Sequence, residues 1–100
     1  MKERMLVRRI LETTRVVVLL PDTKSPDGLE VSIYEGGDDW GHISLPVAIE
    51  CTAPATEAET KEILAELGRY WEEDPMLDHV LIGAEALTQQ DLIPHRLPTA

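Results

Sequence analysis

Lys2-Glu3-Arg4-Met5-Leu6-Val7-Arg8-Arg9-Ile10-Leu11-Glu12-Thr13-Thr14-Arg15-Val16-Val17-Val18-Leu19-Leu20 is the stretch on which the fold turns. In its first half Leu6, Val7, Ile10 and Leu11 recur at the offsets of one helical face. Arg8 stands four residues before Glu12 on the other side. This spacing favours a helix over residues 2–13. The competing reading is a strand, with Glu12-Thr13-Thr14 as the turn of a hairpin. The second half is β in character: Val16 to Leu20 is apolar on both parities, as suits a strand covered on both faces or central in its sheet. Pro21 is expected to end it.

Working outward, Pro21 to Gly28 is dense in turn formers, and Leu29, Val31 and Ile33 then alternate with Glu30, Ser32 and Tyr34, placing the odd positions inward. Glu35-Gly36-Gly37-Asp38-Asp39 makes the next turn. From Ile43 to Cys51 the odd positions Leu45, Val47 and Ile49 stay apolar, which predicts a further strand with Pro46 marking an edge or a bulge. Thr56-Glu57-Ala58-Glu59 has the form of a capping box, and a helix should run from it to about Glu73. Its buried stripe is Ile63, Leu64, Leu67, Tyr70 and Trp71, with Pro75 as the stop. Leu77 to Ile82 reads as a short strand, a small helical segment follows from Gly83 through Leu92, and 94–100 reads as an extended tail. The expectation is one compact α+β domain over residues 1–100. It has an antiparallel sheet of three to four strands, helices on one face, and the order α-β-β-β-α-β-α.

Charge is segregated along the chain. The first 24 residues hold six bases against three acids, whereas the remainder holds sixteen acids against Lys61, Arg69 and Arg96, so a leader of about +3 precedes a body of about −13. One hundred residues suffice for a single core, with about 60 to 65% of the unfolded surface buried. Four aromatic residues and an anionic body argue against direct nucleic-acid binding, which needs stacking rings in a cationic groove. The lone Cys51 rules out an intrachain disulfide, no apolar run is long enough to span a bilayer, and the basic start lacks the apolar stretch of a signal peptide. A cytoplasmic protein without cofactor, metal or membrane partner is expected.

Among candidate groups, the acidic helix is the most informative. Glu59, Glu62, Glu66 and Glu73 are expected along one side, relieved only by Arg69, while Glu72, Glu73 and Asp74 crowd the helix C-terminus. Carboxylates there oppose the helix dipole by ~0.3–1 kcal/mol each. Either this is a carboxylate ridge complementary to a basic surface or it is a solubilising face. The loop Glu35 to His42 gathers three carboxylates, Glu35, Asp38 and Asp39, and the His42 imidazole around its glycines, as a hairpin turn or as oxygen ligands for a divalent cation. Trp40 there is either an exposed binding anchor or a ring folded back over the sheet. Cys51 falls on the inward parity of its expected strand, as a small buried hydrophobe, with His42, His79 and His95 the only imidazoles for a nucleophilic alternative. Asp78 and His79 are adjacent and would face opposite ways on a strand. No nucleophile-elbow, phosphate-loop or zinc-protease motif occurs. No catalytic residue is therefore assigned. The basic leader, with Lys2, Arg4, Arg8, Arg9 and Arg15, offers contacts for RNA, DNA or an anionic membrane, but three acids interrupt it; the alternative is that it pairs with the acidic body of its own chain or of a second copy.

In size and charge the chain resembles small phage-borne anti-defence proteins, anti-CRISPR-like inhibitors among them, and nuclease immunity proteins. That resemblance implies a nucleic-acid mimic, a non-catalytic inhibitor whose carboxylates, Glu59, Glu62, Glu66, Glu73, Asp74, Asp38 and Asp39 with Trp40, cover a basic surface of a nuclease or nucleic-acid-binding complex. The order α-β-β-β-α-β over about residues 2–82 is similar to the dimeric chaperones of type III secretion, which implies instead a homodimer escorting a client segment. A small metal-dependent or thiol enzyme, resting on 35–42 and Cys51, is the third reading.

Overall fold

A computed structural model describes residues 2–83. Its elements are β1 (Glu3–Ile10), β2 (Val16–Lys24), β3 (Glu30–Gly36), β4 (Asp39–Ser44), α1 (Leu45–Glu50), β5 (Thr52–Pro54), α2 (Glu57–Trp71) and β6 (His79–Leu81). The strands form one sheet in the order β4-β3-β2-β1-β5, with β6 also on β1. The α+β class stands, but the expected three to four strands become six among the described residues. β6 lies parallel to β1, so the sheet is mixed.

Residues 2–13 are not a helix. Glu3–Ile10 pairs antiparallel with β2 in the register Leu6↔Leu19 to Arg9↔Val16. The Ile10 amide donates to the Arg15 carbonyl (2.8 Å) and the Thr14 amide to Ile10 O (2.7 Å), closing the hairpin with Thr14 at φ 59°. Met5, Leu6 and Val7 are all buried, and a strand covered on both faces loses the alternation that would mark it. The likeness to secretion chaperones rested on an N-terminal helix and loses its first element here. β2 is central and covered on both faces, as its composition suggests, yet it does not stop at Pro21. The register slips between Leu20 and Lys24, where proline has no amide for the ladder and an irregularity admits it.

Strand parity sorts the core into two layers. Met5, Val7, Val18, Leu20 and Tyr34 pack with Ile63 and Leu67 of α2, while Leu6, Val17, Leu19 and Ile33 pack with Ala48 of α1. The two helices thus lie on opposite faces, not on one. Val31 and Ile33 are buried as expected, but Leu29 is exposed and Tyr34, expected to face outward, is fully buried under α2.

The strand expected over 43–51 breaks at Ser44, whose hydroxyl caps α1 by accepting the Val47 amide; Pro46 sits in the first turn, where a missing amide costs nothing. Leu45 and Ala48, three apart, are the buried face of that helix, and Cys51 becomes its exposed C-cap instead of a core residue. α2 starts as expected. The Glu59 amide donates to Thr56 Oγ1 (3.1 Å) and the Thr56 amide to Glu59 Oε1 (2.9 Å), the reciprocal capping box. It ends at Trp71, with Glu72 as a left-handed C-cap (φ 58°) whose amide donates to Gly68 O, four residues ahead of Pro75. Of the expected stripe, Ile63 and Leu67 are buried, Leu64 and Trp71 half-buried, and Tyr70 exposed. The strand expected at 77–82 is present as β6. The helical segment expected beyond Gly83 and the tail at 94–100 lie outside the described residues.

Candidate functional site

The first half of α2 crosses the end of the sheet where β2 begins and β3 turns into β4, leaving an open cleft of about 420 Å³. Among the described residues five carboxylates line it, Glu35, Asp39, Glu59, Glu62 and Glu66, against one guanidinium, Arg15, with Val16 and Ile63 as its apolar members. The register explains the gathering. Val18 opposite Tyr34 and Gly36 opposite Asp39 bring residues 15–16, 35–37 and 39 to the same sheet end, and the capping box aims the 59, 62, 66 side of α2 across it.

The acids are not equivalent. Glu66 Oε1 accepts the Gly37 amide at 2.8 Å, tying α2 to the β3–β4 turn. Gly36 (φ 106°) and Gly37 (φ 56°) supply the turn's positive φ angles, and a Cβ on Gly36 would stand 3.5 Å from the Glu66 carboxylate. Glu59 is held below the usual carboxylate range by the Thr56 amide of the capping box. Arg15 lies 3.9 Å from Glu35, a loose exposed pair. The carboxylates of Glu62 and Asp39 have no hydrogen-bond or ion-pair partner among the described residues, and both residues are exposed. Glu62 and Glu66, four apart on the helix, repel by a few tenths of a kcal/mol.

Of the other sequence candidates, Glu73 and Asp74 lie past the end of α2, in a second, smaller cleft with Asp78, Trp71 and His79. Asp74 accepts the Met76 amide there (2.9 Å). The expected ridge from Glu59 to Glu73 is thus divided between the two ends of α2. Asp38 is exposed at the hairpin turn. Trp40 is half-buried and folds back over the sheet. Its ring centroid lies 5.1 Å from Tyr34, 6.1 Å from Tyr70 and 5.9 Å from Trp71, so the four aromatic residues form one cluster. Tyr34 donates its hydroxyl to Gly37 O (2.7 Å), and burial, then the nearby Glu66 charge, push that phenol up from its ordinary value. Arg15 is not among the expected site residues, and Glu35 is expected only as a ligand of the 35–42 loop and not as part of the carboxylate ridge. Their signal was the β1–β2 hairpin, which, read as a hairpin, sets Arg15 and Glu35 at the same sheet end.

The basic leader is engaged within its own chain. Arg4 grips Asp22 with Nε (3.0 Å) and Nη2 (2.7 Å) to Oδ1, while its amide donates to Oδ2 (2.9 Å). This pair holds the Asp22 carboxyl below its usual range. Lys2 donates to Met76 O (2.9 Å), and the buried Arg8 donates to Thr52 Oγ1 and Thr52 O (both 2.9 Å).

His79 stacks on Trp71 at 4.9 Å, with Nδ1 3.0 Å from Pro75 O and Nε2 3.6 Å from Glu3, so its ring is occupied by structural contacts. Among the described residues no group of three or more His, Cys, Asp or Glu side chains is disposed to hold a metal ion. No helix there is long and apolar enough to cross a membrane. Compared with known proteins, the chain matches no family model, no curated protein and no solved structure.

Proposed function

We propose that the protein is a non-catalytic acidic binding module that occludes a cationic surface of a partner protein, of the kind with which nucleases and their complexes grip nucleic acid. The observation that carries this reading is the cleft between α2 and the β3–β4 turn, where, among the described residues, five carboxylates face a single guanidinium. An anionic array on a rigid scaffold competes with phosphates for lysine and arginine, speeds encounter with a basic partner, and weakens as salt screens it. The internal roles of Glu59 and Glu66 keep two of these charges fixed in position, and Glu62 and Asp39 are left to meet a partner. Covering a partner's groove requires no chemical step by this chain.

The test is a double reversal, Glu62→Lys with Asp39→Lys, which leaves the capping box and the Glu66–Gly37 tie intact. With a partner identified by affinity capture and mass spectrometry, the double variant is expected to bind at least tenfold more weakly. It should also fail to inhibit the partner's nucleic-acid binding, and wild-type affinity should fall with rising salt. Equal affinity of wild type and variant, or affinity indifferent to salt, rejects the reading.

A further inference from the structure

Among the described residues, the sheet ends on one side in a strand whose outer edge no other strand covers. At the Leu29/Leu45 pair that follows β4, the Leu45 amide donates to the Leu29 carbonyl (3.3 Å). Antiparallel ladders alternate bonded and non-bonded pairs. Carried back along the register, Val31/Ile43 and Ile33/Gly41 are then the hydrogen-bonded pairs, and Ser32/His42 and Tyr34/Trp40 the others. The amides and carbonyls of Trp40 and His42 therefore point away from β3, and no strand among the described residues pairs with them. The opposite side of the sheet ends in two three-residue strands, one closed by Pro54. β4 is six residues long and contains neither lysine nor proline, the residues that commonly blunt an edge.

We infer that this edge is a docking strand for an extended, basic segment of the partner, which adds to the sheet beside β4 and sets its lysine or arginine side chains among the acids at the start of that strand. Charge selects the occupant. Asp38 and Asp39 open the strand, and a Glu35 oxygen lies 3.5 Å from where a Cβ on Gly41 would stand. Glu66 sits across the turn, bonded to Gly37. A second copy, itself of net charge −10, brings no basic segment to complement these acids and is repelled on approach by its overall field. Main-chain bonds to Trp40 and His42 give such a segment register, and the carboxylates give it selectivity. The inference rests on the proposed charge-based function and adds the mode of attachment.

The experiment uses an eight-residue peptide alternating arginine and threonine, and two versions N-methylated at alternate residues in either phase, which keep the charge but cannot complete the ladder. The parent peptide is expected to bind roughly tenfold more tightly than at least one methylated version, the loss of about two ladder bonds. It should also slow hydrogen exchange at the Trp40 and His42 amides. His42→Pro, which removes an outward amide only, should erase the difference between peptides. Should that variant unfold, as far-UV circular dichroism would reveal, the methylation and exchange comparisons on the wild type decide alone. Equal, salt-sensitive binding of all three peptides with unchanged exchange at Trp40 and His42 overturns the docking strand and leaves the charge reading standing. Absence of binding by any peptide at low salt overturns the docking strand, and the charge reading is then judged by the Glu62→Lys/Asp39→Lys comparison on the captured partner. A wild-type dimer in sedimentation that His42→Pro dissolves would assign the edge to a second copy and overturn the inference as well.

Discussion

Glu66, midway along α2, and Gly37, at the tip of the β3–β4 hairpin, are joined by a single hydrogen bond of 2.8 Å from the glycine amide to the carboxylate. Among the described residues it is the polar link between the helix and the turn on either side of the acidic cleft. Glu66→Ala is expected to destabilise the fold by about 1–2 kcal/mol, the range for a partly exposed bond to a charged acceptor, whereas Glu66→Gln should lose less than half of that. Urea denaturation compares them. Equal losses would mean that the charge and not the bond matters.

Two left-handed residues carry avoidable strain. Thr14 (φ 59°) turns the β1–β2 hairpin and Glu72 (φ 58°) caps α2. Neither is a residue that adopts this conformation readily, and glycine does so without a Cβ clash. Thr14→Gly and Glu72→Gly are each expected to stabilise by about 1 kcal/mol, additively because the sites share no partner. Thermal denaturation should register each as a rise in midpoint.

The Arg4–Asp22 fork makes stability depend on acid. Because the folded Asp22 carboxyl is held below its unfolded value of 3.8, its contribution is complete above that pH and is lost as the pH falls through the lower, folded value. Asp22→Asn should therefore lower the free energy of unfolding at pH 7 by about 0.5–1 kcal/mol for so exposed a pair. The gap between variant and wild type should close in strong acid. A gap that persists there would assign the loss to packing.

Trp40 separates a core ring from a surface anchor. Packed among Tyr34, Tyr70 and Trp71, it should cost about 2–4 kcal/mol when truncated to alanine, somewhat under the range for a fully buried ring. Near-ultraviolet circular dichroism should lose intensity with it. A ring serving only a partner would leave both unchanged.

The elements legible in the sequence were those whose signals are local. The capping box at Thr56 and Glu59 named the start of α2 to the residue, and the two-sided apolar run at Val16–Leu20 named the central strand. The misread elements have particular causes. β1 is buried on both faces, so Met5, Leu6 and Val7 show no alternation. Its turn is made by Thr14 in a conformation usually marked by glycine or asparagine. At 43–51, three apolar odd positions imitated a strand while Ser44 and Pro46, read together, were a helix start. Parity within that imagined strand buried Cys51, which is exposed; a maleimide should therefore label it in the native state. The cleft was half legible. Glu59, Glu62 and Glu66 share a helix side, but Arg15, Glu35 and Asp39 join them only through the strand register.

β1 receives partners from far along the chain on one flank: Thr52–Pro54 beside its second half and His79–Leu81 beside its first. During synthesis this strand emerges before both of them, and the first half of that flank stays bare until some seventy further residues have left the ribosome. Long-range closure of this sort is slow, and meanwhile the nascent chain exposes an adhesive border. The intervening residues 25–78 carry fourteen acids against only Lys61 and Arg69, and like charge of that size opposes association between neighbouring chains over the interval in which the border is bare.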